Sequence, residues 1–337
     1  MNQIIETLLS SEEPSIRYKI RVGVFCENPD SLAIRNLQTE VKRSPRVRSL
    51  LAKRDKKGHV RPVQNPYSKW NGAHWVLATL ADIGYPCGDK KLIPIRDQVL
   101  DCWLHADSIR EQVYAKPPRT RRGRGIPVIQ GRARCHASQQ GNALYSAVVL
   151  GLMDKRCDRL AEHLIQWQWP DGGWNCDLRA EATNSSFWES LIPFRGLSRF
   201  GEATGNEEAS TAATRAAEVF LKRHLYRRIA NGQIMNGRFV KLHYPCYWRY
   251  DILFGLKAMA EAGFINDSRC SDALDLLESK QLPEGGWPAE ERFYGPANSQ
   301  KSGCDLVSWG GVSKTRPNEW VTADALYVLR AAGRLTM

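Results

Sequence analysis

The sequence predicts an all-α fold: helical hairpins in two concentric layers that close into a ring, after a short N-terminal helical extension. Three observations lead there. The spacing Gln, three residues, Gly, one residue, Trp occurs at Gln168, Gly172 and Trp174 and returns 113 residues on at Gln281, Gly285 and Trp287. Self-similarity of this kind marks a repeat architecture. Each copy follows a helical apolar pattern (Leu160, Ala161, Leu164 and Ile165; Leu274, Leu276 and Leu277) and closes it with Pro and paired glycines, which stop a helix. Around the copies lie apolar segments of helical length, each ending at a Gly suited to a left-handed cap.

Taken in order, residues 1–50 form the extension. Ser11 to Val24 has Pro14 placed to open a helix and Ile16, Ile20 and Val24 on one stripe, and Leu32 to Val41 follows the turn CENPD. Residues 51–337 form one repeat domain. Leu50 to Val60 holds a worn copy of the motif, 114 residues before Gln168 counting from Arg54, with Gly58 kept and the Gln and Trp lost. Inner helices are expected at Asn71 to Gly84, Asn142 to Gly151, Ser185 to Gly201, Tyr247 to Gly263 and Trp320 to Gly333. Outer helices at Ile95 to His105 and Ala212 to Arg223 complete units of about 50–60 residues. Five or six such hairpins close a ring. In each motif the Gln is expected to hydrogen-bond the end of a neighbouring helix and the Trp to cover the next unit, a structural clamp rather than a catalytic pair.

Composition narrows the class. With 337 residues, 42% hydrophobic, 25% charged and 11 Trp, the chain has ample material for a core. Its start, MNQIIETLLSSEEP, lacks the basic segment of a signal peptide. The longest apolar run, Ala147 to Met153, is far short of the roughly 20 residues that span a bilayer. A cytoplasmic protein is the expectation, with peripheral membrane contact left open. Nine cysteines without a C-x-x-C pair support neither a disulfide framework nor a zinc ribbon. A formal charge of +12 points to an anionic partner.

On its paired QW motif, Gln168/Gly172/Trp174 and Gln281/Gly285/Trp287, the chain resembles the α/α-toroid superfamily of squalene and oxidosqualene cyclases, class II diterpene cyclases and protein prenyltransferase β subunits. The resemblance covers most of residues 50–337 and implies a toroid. For reaction it implies less, because toroids also serve as lanthionine cyclases and as non-catalytic domains. The D-x-D-D acid of class II cyclases is absent, as is any D-D-x-x-D cluster that would hold magnesium over a diphosphate. Such cyclases also carry a second toroid, for which this chain is too short. A lone acid remains as the alternative, and Asp177, Glu189 and Asp251 lie next to or within the inner helices. The prenyltransferase zinc segment corresponds to Ala182 to Trp188, where Ser186, Phe187 and Trp188 fit and both metal ligands are missing.

A different zinc site is readable from residue types alone. Cys135 and His136 precede one inner helix, Cys176 ends the first motif turn, and His243 and Cys246 precede another inner helix. Thiolates and imidazoles suit zinc, and three of them with a water make an open catalytic site. The Cys-His pair followed by a Gly, with a separate Trp-x-Cys, resembles lanthionine synthetase cyclases, although the order along the chain is reversed and the Gly spacing differs.

Two further features bear on ligands. Lys116 to Arg134 carries seven basic residues and no acid. As a loop over the ring's mouth it would offer Arg119, Arg121, Arg122 and Arg124 to a diphosphate. A nucleic-acid patch is the weaker alternative, since no aromatic residue interleaves with the arginines. His74, Trp75, Phe187, Trp188, Tyr247, Trp248 and Trp320 cluster at the starts of inner helices, where they would line an apolar bore or fill the core. Three functions follow: binding or transforming an isoprenoid such as a prenyl diphosphate, a zinc-dependent thiol enzyme, or a non-catalytic scaffold that binds a partner or lipid.

Overall fold

The computed structural model describes residues 2–118, 125–295 and 303–335, and over them the chain is mostly helical. The N-terminal part comprises α1 (Asn2–Leu9), α2 (Pro14–Tyr18) running into a π-helical turn (Lys19–Val24), α3 (Leu32–Arg43) and α4 (Pro45–Leu51). Next come α5 (Ala73–Asp82), α6 (Ile93–Leu104), the short α7 (Ala106–Ile109), α8 (Ala137–Val149), α9 (Lys155–Gln166), α10 (Phe187–Thr204) and α11 (Glu207–Leu221). The last three are α12 (Ile252–Glu261), α13 (Ser271–Ser279) and α14 (Glu319–Ala331). Side-chain oxygens of Ser31, Ser44, Asp154, Asn206, Asp251 and Asn318 accept first-turn N–H groups and so fix where six of these helices begin. The helix expected from Tyr247 therefore starts later, at Ile252, because Asp251 is its cap and Tyr247 has a positive φ.

The all-α expectation needs one correction. β1 (Glu111–Tyr114) pairs in parallel with β2 (Ile126–Ile129), which pairs antiparallel with β3 (Arg132–Ala133). The β-branched run Ile126, Val128, Ile129 supplies the strand, and Gln130 and Gly131, both at positive φ, make the two-residue turn back into β3. The basic stretch is thus partly sheet rather than one loop. Arg119, Arg121, Arg122 and Arg124, assigned to anion binding, lie outside the described residues.

The worn repeat is real at the level of the backbone. In the turns at Arg54, Gln168 and Gln281 the next residue's N–H bonds the carbonyl four residues on: Asp55 to His59, Trp169 to Gly173 and Leu282 to Gly286. The N–H of Gly58, Gly172 and Gly285 closes each turn on the carbonyl of Asp55, Trp169 and Leu282. Gln168 donates to its own Gly172 carbonyl at 2.7 Å and to Ala212 of α11 at 2.8 Å, as a clamp should. The tryptophans bridge two helices through their N–H groups. Trp174 and Trp287 donate back to Leu164 and Leu277, the ends of their own preceding helices, while Ser190 and Thr322 of the following helices hold their backbone N–H groups. In the worn copy Val60 stands at the Trp position, and Gln98 of α6 takes both its N–H and its carbonyl.

Packing follows a succession. α8 lies against α5 and α10, α10 meets α12, α12 meets α14, and α14 packs on α2 and the π-helical turn. The tightest of these contacts needs small residues: a Cβ on Gly196 would come 2.5 Å from the Gly141 carbonyl oxygen, and one on Gly141 2.6 Å from the backbone of Pro193. Between the sheet-bearing segment and the helices runs one continuous hydrophobic core, from Ile5 to Leu335, which includes the N-terminal helices. Among the described residues no helix is long and apolar enough to cross a membrane.

Candidate metal centre

The first motif turn and the sheet bring two predicted ligands together. β3 leads into Arg134, which bridges Asn175 in parallel register, so the residues that follow, Cys135-His136 and Cys176, advance side by side. Glu189 enters from the first turn of α10. One of its oxygens accepts the Ser138 N–H at 3.1 Å and the Ser138 hydroxyl at 2.8 Å, and the other lies 3.2 Å from His136 Nδ1. The carboxylate is therefore anchored on the start of α8, where helix donors favour negative charge. Ligating atoms of His136, Cys176 and Glu189 all fall within 4.8 Å of one another. The His136 side chain is 41% exposed and that of Glu189 9%, so the group has one sealed side and one open side.

Burial pushes the Glu189 carboxyl up, but contacts with His136 and Ser138 outweigh it and hold the carboxyl below its ordinary value. That direction favours the ionised carboxylate over the neutral proton donor expected from sequence. Asp177 is held low in a similar way: its bonds to the Arg179 guanidinium and backbone outweigh burial and favour the ionised form. Beside the cluster, Tyr67 is pushed up to about 12, first by burial and then by the Glu189 and Cys176 charges, against a bond with Gln139. It stays protonated at neutral pH.

The other predicted ligands form a second group rather than joining the first. His243, Cys246 and Asp251 have ligating atoms within 4.8 Å of one another. Here the imidazole and carboxylate are sealed, at 1% and 0% exposure. Asp251 caps α12 through the Phe254 N–H at 2.7 Å and takes both the backbone N–H of His243 and its Nδ1, at 2.9 and 2.8 Å. The contacts of Asp251 are thus those of a helix cap and a buried partner for His243, whereas the sequence reading took it as a lone acid. Cys135 is fully buried and belongs to neither group.

The aromatic residues also separate. Trp75 packs with Trp70 and Tyr247, and His74 accepts from Trp103 Nε1 at 3.2 Å. Phe187 packs on Phe220 of α11, Phe239 and Tyr250, while Trp320 stacks on Tyr244. Trp188 and Trp248 meet edge to face at 5.8 Å. Of the seven aromatic candidates only Tyr247 lines the cavity that α5, α8, α10, α12 and α14 enclose. That cavity holds about 50 Å³.

Charge fills the space where an apolar bore was expected, and sequence reasoning missed it. Asp82 of α5 meets Lys257 of α12 at 2.7 Å and Lys19 of the π-helical turn at 3.3 Å. Asp324 of α14 meets the same two lysines at 3.0 and 2.9 Å. Arg195 of α10 pairs with Glu261 and Tyr145, and the Tyr244 hydroxyl donates to Asp82 at 2.6 Å. Burial pushes Asp82 up, yet Lys19, Lys257 and Arg195 together hold it well below the usual carboxylate range. Isolated polar residues in inner helices at Asp82, Arg195, Lys257 and Asp324 were the available signal.

No protein-family model matches the chain, and no curated protein is significantly similar to it.

Proposed function

We propose that the chain is a zinc-dependent enzyme that activates a thiol or a water at His136, Cys176 and Glu189. The observation that carries this reading is the convergence of an imidazole, a thiol and an ionised carboxylate from three separate segments within 4.8 Å, on a half-open surface. Those donors fit zinc, which takes nitrogen, sulfur and oxygen ligands and in catalytic sites keeps a fourth position for water or substrate. Bound there, zinc would lower the pKa of that fourth ligand. The protein's own part is to hold Glu189 on the start of α8, to orient His136 through that carboxylate, and to keep the protonated Tyr67 alongside as a donor.

The frame we propose for this site is an α/α toroid like that of the cyclase and prenyltransferase superfamily. Support comes from the succession α5, α8, α10, α12, α14 and from Lys19, which ties α14 back to α5 through Asp324 and Asp82. An isoprenoid in the bore is the less favoured reading. Ligand pockets typically run to about 300–1,000 Å³, whereas this cavity holds about 50 Å³ and has Asp82, Arg195, Lys257 and Asp324 in its wall.

Cobalt substitution tests the reading. The cobalt-loaded protein should show a sulfur-to-metal charge-transfer band, absent from Cys176→Ala, that shifts when 2-mercaptoethanol is added. A band indifferent to Cys176 would reject the site, and a thiol-insensitive band would leave water as the activated group.

A further inference from the structure

Next to the candidate centre lies a group of cationic and indole donors that find no acceptor among the described residues. Lys69 Nζ sits 5.1 Å over the Trp248 ring and 5.6 Å over Trp70. Arg249 lies 4.3 Å over Trp248 and 5.4 Å over Trp188. No carboxylate pairs with Lys69 or Arg249 among the described residues, and the nearby Glu291 faces Arg238 at 3.8 Å. Arg249 Nε, Trp248 Nε1 and Trp70 Nε1 are buried with no hydrogen-bond partner among the described residues. Buried donors normally find an acceptor, and each one left alone costs about 1–3 kcal/mol. Two cations held on one indole, with Glu291 shared between Arg249 and Arg238 as the nearby carboxylate, add repulsion to that cost. Burial, then Arg249, lowers the Lys69 ammonium, while burial and then Arg238 lower Arg249 despite Glu291.

The position of this group ties it to the metal ligands. Trp188 immediately precedes Glu189 and meets Trp248 edge to face. Tyr67, whose hydroxyl feels Glu189 and Cys176, packs into the same aromatic cluster as Trp70 and Trp248. We infer that Lys69, Arg249 and the indole N–H groups of Trp70 and Trp248 bind the carboxylate or phosphate of a small organic substrate whose reacting end reaches the metal. This rests on the metal reading for the reacting end only. An oxygen-rich anion satisfies the lone donors and neutralises the paired cations.

The test is calorimetric titration of the full-length protein with phenyl phosphate, phenylacetate and neutral phenylacetamide. The anions should bind about ten-fold or more tightly than the amide, the factor expected when a charge-assisted bond is lost. Lys69→Met and Arg249→Met should each remove that advantage and leave the amide unchanged. In the unaltered protein, inorganic phosphate should displace both anions, a result that depends on no variant folding. Cys176→Ser should keep anion binding while losing metal, which separates failure here from failure of the metal centre. Equal binding of anion and amide, variants that bind as the parent does, or anion binding that disappears with Cys176→Ser would each overturn the inference.

Discussion

His136, Cys176 and Glu189 on one side, and His243, Cys246 and Asp251 on the other, are near copies in chemistry: one imidazole, one thiol, one carboxylate, all within 4.8 Å. Their surroundings differ. In the first group the imidazole is 41% exposed, whereas in the second it is 1% exposed and its carboxylate already serves as a helix cap. Burial also lifts the Cys246 thiol well above its ordinary value, with Asp251 adding to the effect, and a protonated thiol is a poor ligand. Identical residue types thus stand half-open in one place and sealed as a staple in the other, and access to solvent is what separates them.

The largest effect that would break this contrast is on stability. Asp251→Ala should cost about 3–5 kcal/mol, because it uncaps α12 and leaves His243 buried without its partner. Glu189→Ala should cost less than Asp251→Ala, since its imidazole partner His136 is half exposed and can bond water instead. Urea denaturation of both variants checks the order, and equal losses would erase the distinction.

Acid provides the next test. Burial lowers His74 to about 3, so the folded protein keeps it neutral while the unfolded chain takes up a proton near pH 6.5. Between those values the unfolded state binds more protons, so stability is full above about pH 6.5 and falls as pH drops, by up to about 1.4 kcal/mol per unit. His74→Asn should flatten that slope. Asp82, held low by its lysines, should keep its contribution until pH falls below about 4. The metal group should respond earlier, because protons compete with zinc for its ligands.

Much of this was legible in the sequence, and the misses have physical causes. The motif spacing placed three turns with shared hydrogen bonds, even where Arg54 and Val60 replace Gln and Trp. The metal ligands were legible as a list but not as two groups, because only the Arg134 to Asn175 bridge decides that Cys176 goes with His136. Glu189 was assigned as an acid since sequence does not reveal that Ser138 and His136 would hold it ionised. The buried charges at Asp82 and Lys257 carried no sign of burial in the sequence, since charges usually sit on the surface. Their partners sit 175 residues apart in the chain.

A smaller effect sharpens the comparison. His136→Gln should change stability by less than about 1 kcal/mol, as for other half-exposed contacts, while weakening zinc binding strongly. His243→Gln should do the reverse. Denaturation and a zinc competition assay on the two variants read both quantities, and parallel behaviour would merge the groups.

The most direct measurement is zinc per chain after metal loading and gel filtration, by elemental analysis, in the parent protein, Cys176→Ser and Cys246→Ser. The account predicts about one equivalent in the parent and in Cys246→Ser, and close to none in Cys176→Ser. Zinc retained by Cys176→Ser, or lost only from Cys246→Ser, would contradict it.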